Sequence, residues 1–225
     1  MNFNFIFNRR NIVCISFIFV LIFITYFFSE NIKIKEDGFI EWMSAIFHLS
    51  SAYIAIIIYK TSNYKILSCF WILFSIFCFG EECSWLQRQL KYSIPEVEER
   101  NRQGEFNIHN LEIFESQRLV SKEGNFQFNY KILFSSQFLF LIGLFIYFLI
   151  IPICLNYFDF LQKYFPPIET KFLFIFWTLF ILSYFLSINK SYVMRNTFAE
   201  TRECVFSAFI FLHQIYLRKN TLLFS

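Results

Sequence analysis

The chain carries little charge for its length. Asp, Glu, Lys and Arg make up 16% of 225 residues against 56% hydrophobic residues, a balance that excludes an ordinary soluble globule. The net charge of +3 comes from basic residues spread over loops, so there is no basic patch and nucleic acid is not an expected partner. No internal repeat and no disordered linker is visible. The six cysteines form no C-x-x-C pair and lie mostly inside apolar runs, where they behave as small hydrophobes. Neither H-E-x-x-H nor H-x-x-x-H occurs. Glycine is scarce, at five, while phenylalanine reaches 36 beside many Ile and Asn, a bias that gives individual Phe residues no functional weight.

What the chain does have is long apolar runs. A span needs about 20 predominantly apolar residues. Six segments approach this: Asn11 to Phe28, Phe39 to Tyr59, Ile66 to about Leu86, Ile132 to Tyr157, Phe172 to Ile188 and about Phe198 to Leu217. The expected fold is therefore all-α, a polytopic membrane helical bundle of about six transmembrane helices forming one integral domain over residues 1–225. The first run follows Arg9 and Arg10 in the manner of a signal peptide, but no small-residue cleavage site comes after it, so it reads as an uncleaved span.

One long hydrophilic segment, Lys91 to Lys131, carries thirteen charged residues and reads as an extramembrane helical cap. Pro95 followed by Glu96, Glu98 and Glu99 suits a first helical turn. Gly104 is expected to break it, and Asn107 to cap a second helix through Gln117. Basic residues favour the cytoplasmic side. In the short loops, Arg9, Arg10, Lys60, Lys65, Lys163, Lys171, Arg218 and Lys219 lie on one side against Lys33, Lys35, Lys190 and Arg195 on the other, which places both termini in the cytoplasm of a plasma (inner) membrane protein.

Alternation of six spans gathers the acids. The entrance to span two with Glu41, the exit of span three with Glu81 and Glu82, the cap segment, and the entrance to span six with Glu200 and Glu203 fall on the same face, by the charge rule the outer one. Carboxylates inside or against a membrane helix cost roughly 2.5 to 3.5 kcal/mol near the bilayer centre, so they are functional candidates by default. Glu41 and His48 are seven apart and share a helix face. Glu81, Ser84, Trp85 and Arg88 follow the i, i+3, i+4, i+7 pattern, with Glu82 about 100° around. In the cap, Gln103, Glu105, Asn107, His109 and Asn110 concentrate groups that ligate, donate or accept. Structural explanations stand beside these: Trp85 as an aromatic belt residue, Arg88 as a snorkelling cation, Glu96, Glu98, Glu99 and Glu112 as a solvated face, and His213 as an interfacial residue beside Arg218 and Lys219.

The strings Gly80-Glu81-Glu82-Cys83-Ser84-Trp85-Leu86-Gln87-Arg88 and Asn101 to Asn110 together resemble an uncharacterised family of bacterial multi-pass membrane proteins. Its pattern is G-E-E-x-S-W-G-Q-R followed by N-x-Q-G-E-x-N-x-H-N, and Leu86 stands here in place of a glycine. The likeness covers about Glu36 to Glu115, with an echo at Glu200 to Glu203. It implies no established activity, but it joins Glu81, Glu82, Ser84, Gln87, Arg88, Gln103, Glu105, Asn107, His109 and Asn110 into one site. A looser likeness is to intramembrane glutamic proteases of the prenyl-protein type, with E-E-x-x-x-R and F-x-x-x-H. Glu81 and Glu82 match, Arg88 comes two positions late, and Phe209 to His213 matches the second string at the opposite membrane face.

Three function classes fit these residues. A membrane-embedded hydrolase or transferase for a lipid, lipid-linked or peptide substrate would use Glu81, Glu82, Arg88, Glu105 and His109 as catalytic groups. Glu41, Ser84, Gln87, Gln103, Asn107, Asn110, Glu200 and Glu203 would bind the substrate. A version using a divalent metal as cofactor would add His48 and His109 as ligands. The second class is a non-catalytic scaffold whose charges pair internally, for instance Glu81 with Arg88. The third is a proton-coupled carrier with Glu41, His48, Glu81 and Glu82 as a relay; the acids cluster at one face, whereas carriers place their site near the midplane between repeats.

Overall fold

A computed structural model of the chain describes Ser16, Val20 and residues 38–101, 104–108, 111, 113, 133, 135–187 and 192–221. Among the described residues the secondary structure is helical without strands, apart from one isolated bridge between Asn101 and Leu111. The chain divides into two compact units, Met1–Phe79 with Phe158–Ser225, and Gly80–Tyr157.

The first unit is built on α1 (Phe39–Thr61), most of α2 (Lys65–Glu82), α7 (Thr170–Ser187) and α8 (Tyr192–Thr221). In α1 an acid in the first turn, Glu41, and a base in the last, Lys60, complement the helix dipole. Ser51 and Thr61 donate their hydroxyls to the carbonyls of Phe47 and Ile57, so neither leaves an open polar group on an apolar helix. At 23 residues and a mean hydropathy of 1.5, α1 is the described helix long and apolar enough to cross a membrane.

Aromatic contacts fix the directions of these helices. Phe172 meets Tyr216, Phe176 meets Phe209 and Phe180 meets Phe206, with ring centroids 5.9, 5.3 and 5.1 Å apart, so α7 and α8 run antiparallel. Phe47 lies 5.8 Å from Phe211, and Ile58 lines a small cavity with Gln214 and Leu217, so α1 and α8 run the same way. Glu41 at the start of α1 and Glu200 and Glu203 in the first half of α8 therefore belong to the same end of this unit. At that end the Arg202 guanidinium lies 4.3 Å over the Tyr184 ring.

Polarity is inverted relative to a soluble bundle. Residues Cys204 to Ile210 of α8 are buried on every side of the helix, and Thr201, Ser207, His213 and Gln214 are buried with them. Leu49 and Tyr53 on α1, Ile66 and Leu73 on α2, and Phe174 and Phe185 on α7 are exposed. A water-soluble helix bundle sorts these classes the other way.

The second unit holds the last residues of α2, a 3-10 turn (Ser84–Leu86), the single-turn helices α3 (Gln87–Leu90) and α4 (Pro95–Glu98), and α5 (Ser136–Phe145). The Ser135 hydroxyl caps α5 by accepting from the Phe138 N–H at 3.3 Å. A π segment (Ile146–Ile150) then carries the chain into α6 (Ile151–Cys154). Pro152, which has no N–H to donate back to the preceding turn, lies just after this π segment.

The apolar runs expected as spans two, five and six coincide with α1, α7 and α8, and the fourth overlaps α5, the π segment and α6. The third does not reach Leu86. It ends at Glu82, and α2 and the following Ser84–Leu90 segment are bent by 70°. The apolar helices Phe138–Cys154 and Phe172–Phe185 are shorter than a span. The first expected span lies outside the described residues, save Ser16 and Val20.

Candidate functional site

The departure at Glu82 builds the site. Three successive residues, Ser84, Trp85 and Leu86, have φ of 45°, 53° and 63°, and Lys91 follows with 54°. Each such residue costs about 1 to 2 kcal/mol when it is not glycine, so three in a row persist only where surrounding contacts over-determine them. The left-handed turn replaces the continuous helix face expected for Glu81, Ser84, Trp85 and Arg88, because the i, i+4, i+7 geometry ends where the helix does.

Two buried carboxylates hold the turn. Glu81, 6% exposed, accepts from the Trp85 indole N–H at 2.8 Å on one oxygen and from the Ile108 backbone N–H at 2.7 Å on the other. Glu105, 8% exposed, accepts from the Ser84 hydroxyl, from Arg88, with which it forms an ion pair, and from the Asn107 amide at 3.2 Å. Arg88 is thus paired with Glu105, not with Glu81 as a scaffold of neighbouring charges would have it. Sequence proximity favoured Glu81, but its two oxygens are taken by donors that the turn and the 104–108 loop bring in.

Amides complete the connection. The Gln87 carbonyl accepts from the Phe106 N–H at 2.6 Å, and its amide nitrogen donates to Glu98. Asn101 donates to both the backbone and the side-chain oxygen of Asn107, at 2.7 and 2.8 Å. Glu98 also accepts from the Ser93 hydroxyl and the Ile94 N–H, at 2.8 and 3.0 Å, so it caps its own turn and does not belong to a merely solvated face. The Tyr92 hydroxyl donates to the Trp85 carbonyl at 3.0 Å; desolvation, with Cys83 nearby, raises its pKa and keeps it protonated. Gly80 is required by close approach, since a Cβ there would come within 2.6 Å of the Trp85 ring. Gly104, with φ of 69°, turns the loop as expected.

Of the residues expected at the site, Glu81, Ser84, Gln87, Arg88, Glu105 and Asn107 come together within the second unit. Glu82 closes α2 and is half-buried. Glu41, His48, Glu200 and Glu203 belong to the first unit. Gln103, His109 and Asn110 lie outside the described residues, as do Glu112 and most of the helix expected from Asn107 to Gln117. His48 is buried and its Nδ1 has no hydrogen-bond partner. His213, expected at the membrane interface, is fully buried between Trp71 and Phe172, because α8 sits inside its unit. Asn101 and Glu98 enter the network although neither was expected at the site: Glu98 reads as a helix-turn acid on a solvated face, and Asn101 only as the first residue of the Asn101 to Asn110 string.

Among the described residues no group of three or more His, Cys, Asp or Glu side chains is arranged to hold a metal ion. No family model, no curated protein and no solved structure matches the chain.

Proposed function

We propose that the chain is a multi-pass integral membrane protein of about six spans with a hydrolase or transferase site built on Ser84, Glu105 and Arg88. It would lie at the outer interface and act on a lipid, lipid-linked or peptide substrate. The observation that carries this reading is the left-handed turn at Ser84–Leu86, which sets the Ser84 hydroxyl against Glu105 with Arg88 on the same carboxylate. Backbone strain of this kind concentrates at functional sites. Glu105 is placed to take a proton from the Ser84 hydroxyl or from a water in its position, and Arg88 to hold an anionic group or developing negative charge. Glu81 is then a positioning residue, with both oxygens engaged in holding Trp85 and the loop. The membrane part is supported by α1 and by the exposed apolar residues around a buried, partly polar α8.

A second reading, a non-catalytic clasp, is favoured by one specific observation: both oxygens of Glu81 and both of Glu105 already have donors. Ser84→Ala separates the two, since it removes the hydroxyl and leaves the Glu105–Arg88 ion pair in place. An enzyme predicts that the Ser84→Ala protein folds to near wild-type yield and thermal stability. In lipid profiles of cells expressing each form at equal level, a lipid or lipid-linked species would change with the wild type alone. A Ser84→Ala profile that matches the wild type at equal stability would remove the enzyme reading, and a fall in folded yield for Ser84→Ala would favour the clasp.

A further inference from the structure

The first unit contains a buried amide that nothing in the protein satisfies. Gln214 of α8 is fully buried, and neither its amide nitrogen nor its oxygen has a hydrogen-bond partner. Leaving such a group unpaired costs roughly 1 to 3 kcal/mol in protein interiors, so a partner is expected. Gln214 lines a cavity of about 10 Å³ together with Ser68 and Trp71 of α2, Tyr64 just before it, and Ile58, Leu67, Leu217 and Pro166. By this measure the space accommodates about one water molecule. The Ser68 hydroxyl uses its proton on the Tyr64 carbonyl at 2.8 Å, which leaves its oxygen free to accept.

We propose that this cavity binds a single water molecule that accepts from the Gln214 amide and donates to the Ser68 hydroxyl oxygen, joining α8 to the start of α2. The site needs a molecule that both accepts and donates, because the Gln214 amide nitrogen is a donor and the Ser68 oxygen an acceptor. It excludes an ion, because the remaining lining is mostly apolar and supplies no opposite charge. It also excludes anything much larger than water by volume. Two fixed polar groups on two different helices are within the usual complement of a structural water. The contact between α2 and α8 is then hydrated at one end, beside the dry aromatic packing of Trp71 on His213.

X-ray radiolytic hydroxyl-radical footprinting of the intact purified protein tests this, because radicals made from a bound water reach side chains that bulk solvent does not. Trp71, 3% exposed, should be oxidised well above the level of the equally buried Phe176 after correction for intrinsic reactivity. Gln214→Met should reduce Trp71 oxidation to the Phe176 level while the exposed Tyr53 is unchanged. Ser68→Ala removes the second partner and should lower the same signal if Gln214→Met does not fold. Wild-type Trp71 as protected as Phe176, or oxidation that neither substitution reduces, would overturn the proposal.

Discussion

The turn after α2 and the seam between α1 and α8 both bury polar side chains, yet they treat them in opposite ways. Around the turn, Glu81 and Glu105 are surrounded by donors, and the amides of Gln87, Asn101 and Asn107 connect them into one network. In the first unit, Ser44, His48 and Gln214 are buried with side-chain atoms that have no hydrogen-bond partner. The difference separates two reasons for placing a polar group inside. A complete network specifies a backbone that local preferences resist, here three left-handed residues in succession. An incomplete group gains little stability from its surroundings and is retained for packing, or for a partner the protein does not supply.

The largest contrast comes from removing one anchor of the complete network. Glu81→Leu leaves the Trp85 indole N–H and the Ile108 N–H without this acceptor, which should cost about 2 to 4 kcal/mol, the lower part of the roughly 1 to 3 kcal/mol per donor because both bonds are only part-buried. Thermal unfolding in detergent measures it, and a loss under about 1 kcal/mol would mean that the network does not hold the turn. Gly80→Ala should follow, at about 1 to 3 kcal/mol, because its Cβ would come within 2.6 Å of the Trp85 ring and force that ring off Glu81. Trp fluorescence should shift together with stability in this variant.

Leu86→Gly acts in the other direction. With φ of 63° at this position, glycine relieves backbone strain and should stabilise by about 1 kcal/mol, less whatever contacts the leucine side chain makes. Destabilisation would show that the leucine contributes more than its backbone costs. The smallest effect is expected at the seam. His48→Leu replaces a side chain whose buried Nδ1 has no partner by an apolar one of similar size and should change stability by less than about 1 kcal/mol in either direction. A loss as large as that of Glu81→Leu would erase the distinction between the two regions.

Much of the helical layout was readable from apolar run length alone. α1, α7 and α8 fall on three of the expected apolar runs. Glu81, Ser84, Gln87, Arg88, Glu105 and Asn107 were expected in one group, with Glu82, Gln103, His109 and Asn110, from two polar strings, Gly80 to Arg88 and Asn101 to Asn110, that follow an apolar run. Their pairing was not. Arg88 has an acid seven residues before it and another seventeen after it, and helical spacing favours the nearer one. It takes the farther one because α2 stops at Glu82 and the chain turns left-handed.

The same divide holds for the molecule at large. Run length and composition are local quantities, and hydrophobic burial acts on them regardless of neighbours, so they sufficed for an all-helical chain and for the approximate bounds of its apolar helices. Left-handed backbone at Ser84, Trp85 and Leu86 runs against local preference and is held by bonds to Glu81, Tyr92 and residues 104–108, and the burial of His213 and Gln214 follows from the packing of α8 within its unit. Both depend on contacts distant in sequence, and tertiary packing alone decides those.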